Sequence, residues 1–292
     1  MTLRGGTPRT SPVLVLGATG TTGARVAAEL RRLGQPVRTA SRGQRSSLDP
    51  GQVPVVFDWL DSATHGPALV GVGGVYLLAP AGSPAPEQIM VPFIERAAGL
   101  GVDRLVLLSA SSIERGGPGL GQVHDALARS SSGWAVLRPT WFAQNFVNPT
   151  HPLGAAIAAG GDIVTATGSG RVPFVDAQDI ARVAVAALLD PTAHNTDHVI
   201  TGPDALSYNE VARIVSDLTG REVRHRAVSA ISAADAMVRA GVPRPVAEML
   251  ANMDLRIAAG SENRTTDTVL RITGRPPRAL PEVLAESFAP AA

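Results

Sequence analysis

The chain has 292 residues, a formal net charge of +1 at pH 7, 17% charged residues and no cysteine. That length can bury an independent core, and the near-zero charge provides no field for nucleic acid or an anionic membrane, so a small molecule is the expected partner. All 26 basic residues are arginine, which excludes a Schiff-base lysine, a phosphate loop ending in Gly-Lys-Ser/Thr and a Tyr-x-x-x-Lys pair, while the missing thiols exclude disulfides and cysteine-held metals.

In chain order, "MTLRGGTPRTSP" lacks the apolar core of a leader, and residues 1–11 read as a flexible tail. No run of about 18 apolar residues follows, so no membrane span is expected and the chain is assigned to the cytoplasm, which the absent cysteines suit. Short runs at 13–16, 37–40, 53–57, 75–78, 105–108 and 135–137 are apolar on both faces, as buried parallel strands are. Amphipathic stretches lie between them. In the first, Val26, Leu30 and Leu33 recur at helical spacing and Gly34 supplies the stop. Repeated βαβ units predict an α/β fold, a doubly wound Rossmann sheet over 12–200.

Further along, Ile180 to Leu189 form a strongly apolar helix behind Asp176 and Asp179. "LSYNEVARIVSDLTG" places Ser207 and Glu210 in capping-box register, with Gly220 past the helix end. The rest of 201–292 reads as a small, mainly helical C-terminal cap for a substrate. His194 and His198, four residues apart in "HNTDH", read as a loop, and no metal site is expected.

Gly17, Gly20 and Gly23 follow the first strand and open a helix. There a tight turn, close backbone approach and close helix packing each favour a residue without a β-carbon, and the free N–H groups at the helix start suit a pyrophosphate. At the end of strand two a carboxylate would hold the ribose 2′-hydroxyl of NAD, whereas an arginine pairs with the 2′-phosphate of NADP. Here stand Ser41 and Arg42, with Arg45 close behind and no acid. Arg42 is either a solvated surface charge or the phosphate partner, and its position points to NADPH (NADP+) as cofactor.

"GATGTTG", "FDWLD", "LVLLSAS" and "VLRPTWFAQNF" resemble the NmrA-like branch of the atypical short-chain dehydrogenase/reductases. "GQVHDAL" followed by "LRPTWFAQNF" is most similar to the ergot-alkaloid-type reductases of that branch. The resemblance implies that Gly17, Thr19, Gly20, Thr21, Thr22 and Gly23 hold the pyrophosphate, Ser41 and Arg42 the adenosine phosphate, and Asp58 the adenine edge. It implies Ala79 and Pro80 lining the cofactor, Ser109, Ala110 and Ser111 beside the nicotinamide ribose, and Pro139, Thr140, Trp141 and Phe142 bordering nicotinamide and substrate. Ser111, Thr140, Trp141, Phe142 and Asn145 are the substrate candidates, the two aromatics being expected on a helix after strand six.

The Tyr-Lys acid of ordinary members is missing, and His124 is the residue nearest that empty role. The resemblance implies an NADPH-dependent oxidoreductase acting on a small organic substrate, such as a cyclic iminium in secondary metabolism, as monomer or homodimer. The alternatives are an NAD(P)-sensing regulator without turnover and a quinone or carbonyl reductase.

Overall fold

Residues 9–43 and 52–288 are described by the computed structural model of the chain. Residues 1–8 of the expected tail, and Arg45, lie outside the described residues. From Arg9 onward the chain is anchored: the Arg9 N–H donates to Gln35 Oε1 at 2.7 Å, and Gln35 Nε2 donates back to the Ser11 carbonyl at 2.8 Å.

The strands in chain order are β1 (Val13–Val15), β2 (Val37–Ser41), β3 (Gln52–Val56), β4 (Gly74–Leu77), β5 (Arg104–Leu108), β6 (Gly133–Pro139), β7 (Ile163–Thr165), β8 (Arg171–Val172), β9 (Thr196–Ile200), β10 (Leu206–Ser207) and β11 (His225–Ala227). Seven of them form one parallel sheet in the order β3-β2-β1-β4-β5-β6-β9. β1, β4 and β5 are almost wholly buried and, apart from Arg104 at the start of β5, almost wholly apolar, because helices cover both faces of a parallel sheet. The order reverses between β1 and β4, and it is outside the carboxyl ends of the strands at such a switch point that open α/β sheets bind ligands.

Six of these seven strands lie where the apolar runs placed them. β9 corrects the expectation of a loop around His198, since Leu137 pairs with His198 and Pro139 with Ile200. Its "TDHVI" alternates exposed or half-buried with buried residues, as an edge strand does, and so lacks the continuous apolar signature. His194 is no isolated loop residue either: its Nδ1 lies 2.9 Å from His198 Nε2 and its Nε2 lies 2.9 Å from Asp190 Oδ2. Among the described residues no group of three or more His, Cys, Asp or Glu could hold a metal. No helix of the described residues is long and apolar enough to cross a membrane.

The chain divides into two compact units. The first comprises Met1–Pro139, Ala177–Ile200 and Thr268–Arg275; the second comprises Thr140–Asp176, Thr201–Asp267 and Pro276–Ala292. Helix Thr268–Thr273 belongs with the first because it packs on helix Ala177–Leu189 and β9. Helix Ala177–Leu189 is itself buried along nearly its whole length.

The second unit is built around Phe146, Phe174 and Tyr208, whose rings meet edge to face at 4.9 to 6.0 Å. Its helix Tyr208–Thr219 carries the capping box read from Ser207 and Glu210, and ends on Gly220 at φ 66°, the left-handed cap a glycine makes without strain. Two short two-stranded sheets, β10 with β8 and β11 with β7, complete it together with helices Ala230–Arg239, Arg244–Ala258 and Leu280–Phe288.

Candidate functional site

The turn after β1 gives its three glycines different tasks. Gly17 has φ +63°, and the Leu78 side chain at the end of β4 fills the space a β-carbon would take. A β-carbon on Gly23 would collide with the Gly17 carbonyl, so this glycine lets the helix Gly23–Arg32 start directly against the turn. Gly20 is exposed and differs from both, since a β-carbon there would meet only the Gly17 oxygen at 3.3 Å. Protein packing thus requires Gly17 and Gly23 but scarcely requires Gly20. The bare backbone at Gly20 suits a group that approaches from outside.

The Gly20 N–H donates to the Gly17 carbonyl at 2.9 Å, closing the turn. Thr22, the N-cap of the helix, makes no side-chain cap bond, so the first amides of the helix are left without that partner. Thr19 is exposed, Thr21 half-buried and Thr22 buried. Amides at a helix start, together with the positive end of its dipole, fit a phosphate.

Ser41 ends β2, with its hydroxyl donating to the Gly43 carbonyl at 2.7 Å, and Arg42 beside it is exposed. Asp58, half-buried after β3, accepts the Leu60 N–H at 2.9 Å through Oδ1, and its carbonyl lies 2.9 Å from His65 Nε2. Between β3 and β4 stands Trp59, whose Nε1 donates to the Leu78 carbonyl at 3.1 Å. With Phe57, His65 and Phe93 it forms an aromatic cluster with ring centroids 5.0 to 5.9 Å apart. Sequence reasoning quoted "FDWLD" without singling out Trp59; an indole at a strand end, with one polar atom to satisfy, was the available signal. Ala79 and Pro80 follow β4 after Leu78 and are half-buried.

At the end of β5, Ser109 and Ala110 are half-buried and Ser111 is 4% exposed. The Ser109 N–H donates to the Leu137 carbonyl at 2.7 Å and the Ser111 N–H to the Pro139 carbonyl at 2.9 Å, so β6 holds this segment by its main chain. The first unit therefore assembles Gly17 to Gly23, Ser41, Arg42, Asp58, Ala79, Pro80, Ser109 to Ser111 and Pro139 along the carboxyl edge of one sheet.

His124 is 3% exposed on helix Leu120–Arg129, its ring 5.5 Å from that of Trp134. Trp134 lies at the start of β6, five residues or about 17 Å along the strand from Pro139. Burial drives the imidazole below its ordinary 6.5, with Asp197 opposing. The group is a neutral, packed imidazole at pH 7.

In the second unit, Trp141 and Phe142 correct the expected helix. They occupy an extended segment in which the Val175 N–H donates to the Trp141 carbonyl and the Ala143 N–H to the Val175 carbonyl, each at 2.9 Å. A 3-10 turn, Ala143–Phe146, then carries Asn145. Pairing with Val175 explains the difference, because it engages the backbone groups a helix would use. Both aromatics are half-buried, as is Asn145, whereas Thr140 is buried with its hydroxyl donating to the Pro173 carbonyl at 2.6 Å. Both tyrosines are enclosed: Tyr76 in β4 is 0% exposed and Tyr208 1%, and burial pushes both hydroxyls up.

Residues 17–191 match the NAD(P)H-binding family and residues 123–265 the NmrA-like family. The chain is 42% identical over 275 residues to an uncharacterized oxidoreductase, YesF, of Bacillus subtilis, covering 94% of each. It is 37% identical to festuclavine synthase II of Penicillium roqueforti, covering 93% of this chain and 96% of the relative. The fold is that of the Citrobacter triphenylmethane reductase, with a TM-score of 0.82 at 24% identity, covering 95% of this chain and 99% of the other. Glycine turn, strand order and these relatives agree: the chain belongs to the NmrA-like, NAD(P)H-binding family of oxidoreductases.

Proposed function

We propose that this protein is an NADPH-dependent reductase of an activated C=N bond, a cyclic iminium or an equally electron-poor compound, in secondary metabolism. The observation that carries the reading is the enclosure of Tyr76 and Tyr208 in a chain without lysine. Neither hydroxyl can be offered to a substrate, and no ammonium stands ready to assist one. A carbonyl under reduction needs a donor for the negative charge growing on its oxygen. An iminium carbon begins positive and ends as an amine, so the site needs alignment, an aromatic wall and the exclusion of water.

In this reading the turn 17–23 holds the pyrophosphate, Ser41 and Arg42 the 2′-phosphate, Asp58 the adenine edge, and Ala79, Pro80, Ser109, Ala110 and Pro139 the rest of the dinucleotide. The bound nicotinamide supplies the hydride. Ser111, Thr140, Trp141, Phe142 and Asn145 orient and enclose the substrate, the last four following directly on the end of β6. His124 acts at most as an orienting or auxiliary group, which its burial beside Trp134 supports. The likeness to festuclavine synthase II supports an alkaloid-like substrate. The 12–200 region then serves as the dinucleotide-binding part and 201–292 as the substrate cap, in a monomer or homodimer.

The test is NADPH oxidation against a panel of iminium, quinone and enone compounds. Turnover of the iminium members is the expected result. Ketone or quinone reduction alone favours the carbonyl reading, and NADPH binding with no turnover across the panel favours a sensor.

A further inference from the structure

Arg138, next to last in β6, is 6% exposed within the parallel sheet. A buried cation is costly, and replacing buried ion pairs by apolar side chains of similar volume is often neutral or stabilising. Stability alone is therefore a weak reason for an arginine here. Its Nη1 donates to Asp197 Oδ2 on β9 at 2.7 Å, its Nη2 donates to a carboxylate oxygen of Glu114, and its Nε is buried without a hydrogen-bond partner. The remaining contact is to main chain: Nη2 also donates to the Ser111 carbonyl at 2.9 Å.

That bond adds to those by which β6 holds the segment 109–111. β6 takes the Ser109 and Ser111 amides through the Leu137 and Pro139 carbonyls, and Arg138 takes the Ser111 carbonyl. An aliphatic residue would fill the volume but make no hydrogen bond to that carbonyl. The two carboxylates fix the guanidinium plane from either side, Asp197 on the neighbouring strand and Glu114 on the segment that follows Ser111. We propose that Arg138 is a positioning residue for the nicotinamide half of the cofactor: braced by Asp197 and Glu114, it locks the 109–111 backbone in the conformation that receives the nicotinamide ribose. The proposal rests on the reading that this segment borders that ribose.

The test compares wild type, Arg138→Met and Arg138→Lys by calorimetry, using two probes: adenosine 2′,5′-bisphosphate, which engages only the adenosine half, and NADPH, whose emission reports the nicotinamide surroundings. Arg138→Met is expected to bind the bisphosphate within about twofold of wild type, to bind NADPH at least tenfold more weakly, and to lose the blue shift of bound NADPH. Arg138→Lys, which keeps the charge but not the fork, is expected to fall between. Unchanged NADPH affinity and emission in Arg138→Met overturns the proposal, and so does an equal loss for both probes, the mark of a merely structural role. Should Arg138→Met fail to fold, Arg138→Lys together with Glu114→Gln, which loosens the brace from its exposed side, carries the same comparison with the same criteria. A wild type that binds neither probe overturns the dinucleotide reading and this proposal with it. That result is distinct from wild-type binding that Arg138 does not influence.

Discussion

The Gly17 carbonyl occupies the space in which Gly23 would carry a β-carbon. Gly20, midway between them, has no such neighbour closer than 3.3 Å. Gly23→Ala therefore forces the turn apart and is expected to cost about 1 to 3 kcal/mol, the usual range for overpacking, read as a lowered midpoint in thermal unfolding. Gly20→Val is expected to remain folded yet to lose dinucleotide binding by calorimetry, because its branched side chain stands where the pyrophosphate would approach. Undiminished binding in a folded Gly20→Val variant would place the cofactor elsewhere.

Arg42 tests the choice between cofactors. Arg42→Ala is expected to weaken NADPH by about 1.5 to 3 kcal/mol, the value of hydrogen bonds to a charged group, while leaving NADH affinity unchanged. Equal losses for the two, measured side by side at one ionic strength, would reduce Arg42 to a surface charge.

His124→Ala is expected to lower turnover of an iminium substrate by less than about tenfold, since a general acid would contribute a hundredfold or more. Steady-state kinetics across pH 6 to 9 checks it. A hundredfold loss, with a wild-type pH profile that follows one ionisation, would restore the imidazole as acid.

Asp254, 5% exposed on helix Arg244–Ala258, accepts the Ala166 N–H at 2.9 Å, and burial raises its carboxyl from 3.8 to about 6. The folded chain thus holds this proton more tightly than the unfolded one. Stability from this group is complete below pH 3.8 and is lost as the pH rises through 6. Asp254→Asn, which keeps an acceptor for Ala166 and removes the charge, is expected to stabilise by about 2 to 3 kcal/mol at pH 8 and to give little at pH 4. His198 works the other way. Burial, with His194 beside it, lowers it from 6.5 to about 4, so its stability is present above 6.5 and lost as the pH falls toward 4. Thermal unfolding of the Asn variant and wild type at pH 4, 6 and 8 separates the two, and a gain independent of pH would refute the assignment to Asp254.

Much of the sheet was legible because β1, β4 and β5 bury both faces, so their sequences carry apolar runs such as Val13 to Val15 and Leu105 to Leu108. The capping box of Ser207 and Glu210 was equally legible, its partners being three residues apart. β9 was not, since Asp197 and His198 are polar, and the pairing of Asp197 with Arg138, 59 residues away, shows only in three dimensions. The same holds for Arg138 itself, whose carboxylates lie 24 and 59 residues away along the chain. Trp141 and Phe142 misled for a related reason: their backbone pairs with Val175, far along the sequence, so local helical propensity did not decide their conformation.

The interleaving of the two units sets an order for folding during synthesis. β9 forms the edge of the first unit's sheet and helix Thr268–Thr273 completes its cover, yet both are made after the opening segment of the second unit. A nascent chain that has reached Pro139 owns six of the seven sheet strands but leaves β6 with an unpaired edge until Ile200 has emerged from the ribosome. At the elongation rates cells use, about 5 to 20 residues per second, the interval between residues 139 and 200 lasts several seconds. For that time a long row of main-chain donors and acceptors, ending at Arg138 and Pro139, is open to pairing with another chain, which makes this interval the vulnerable one for aggregation and the natural point for a chaperone to act.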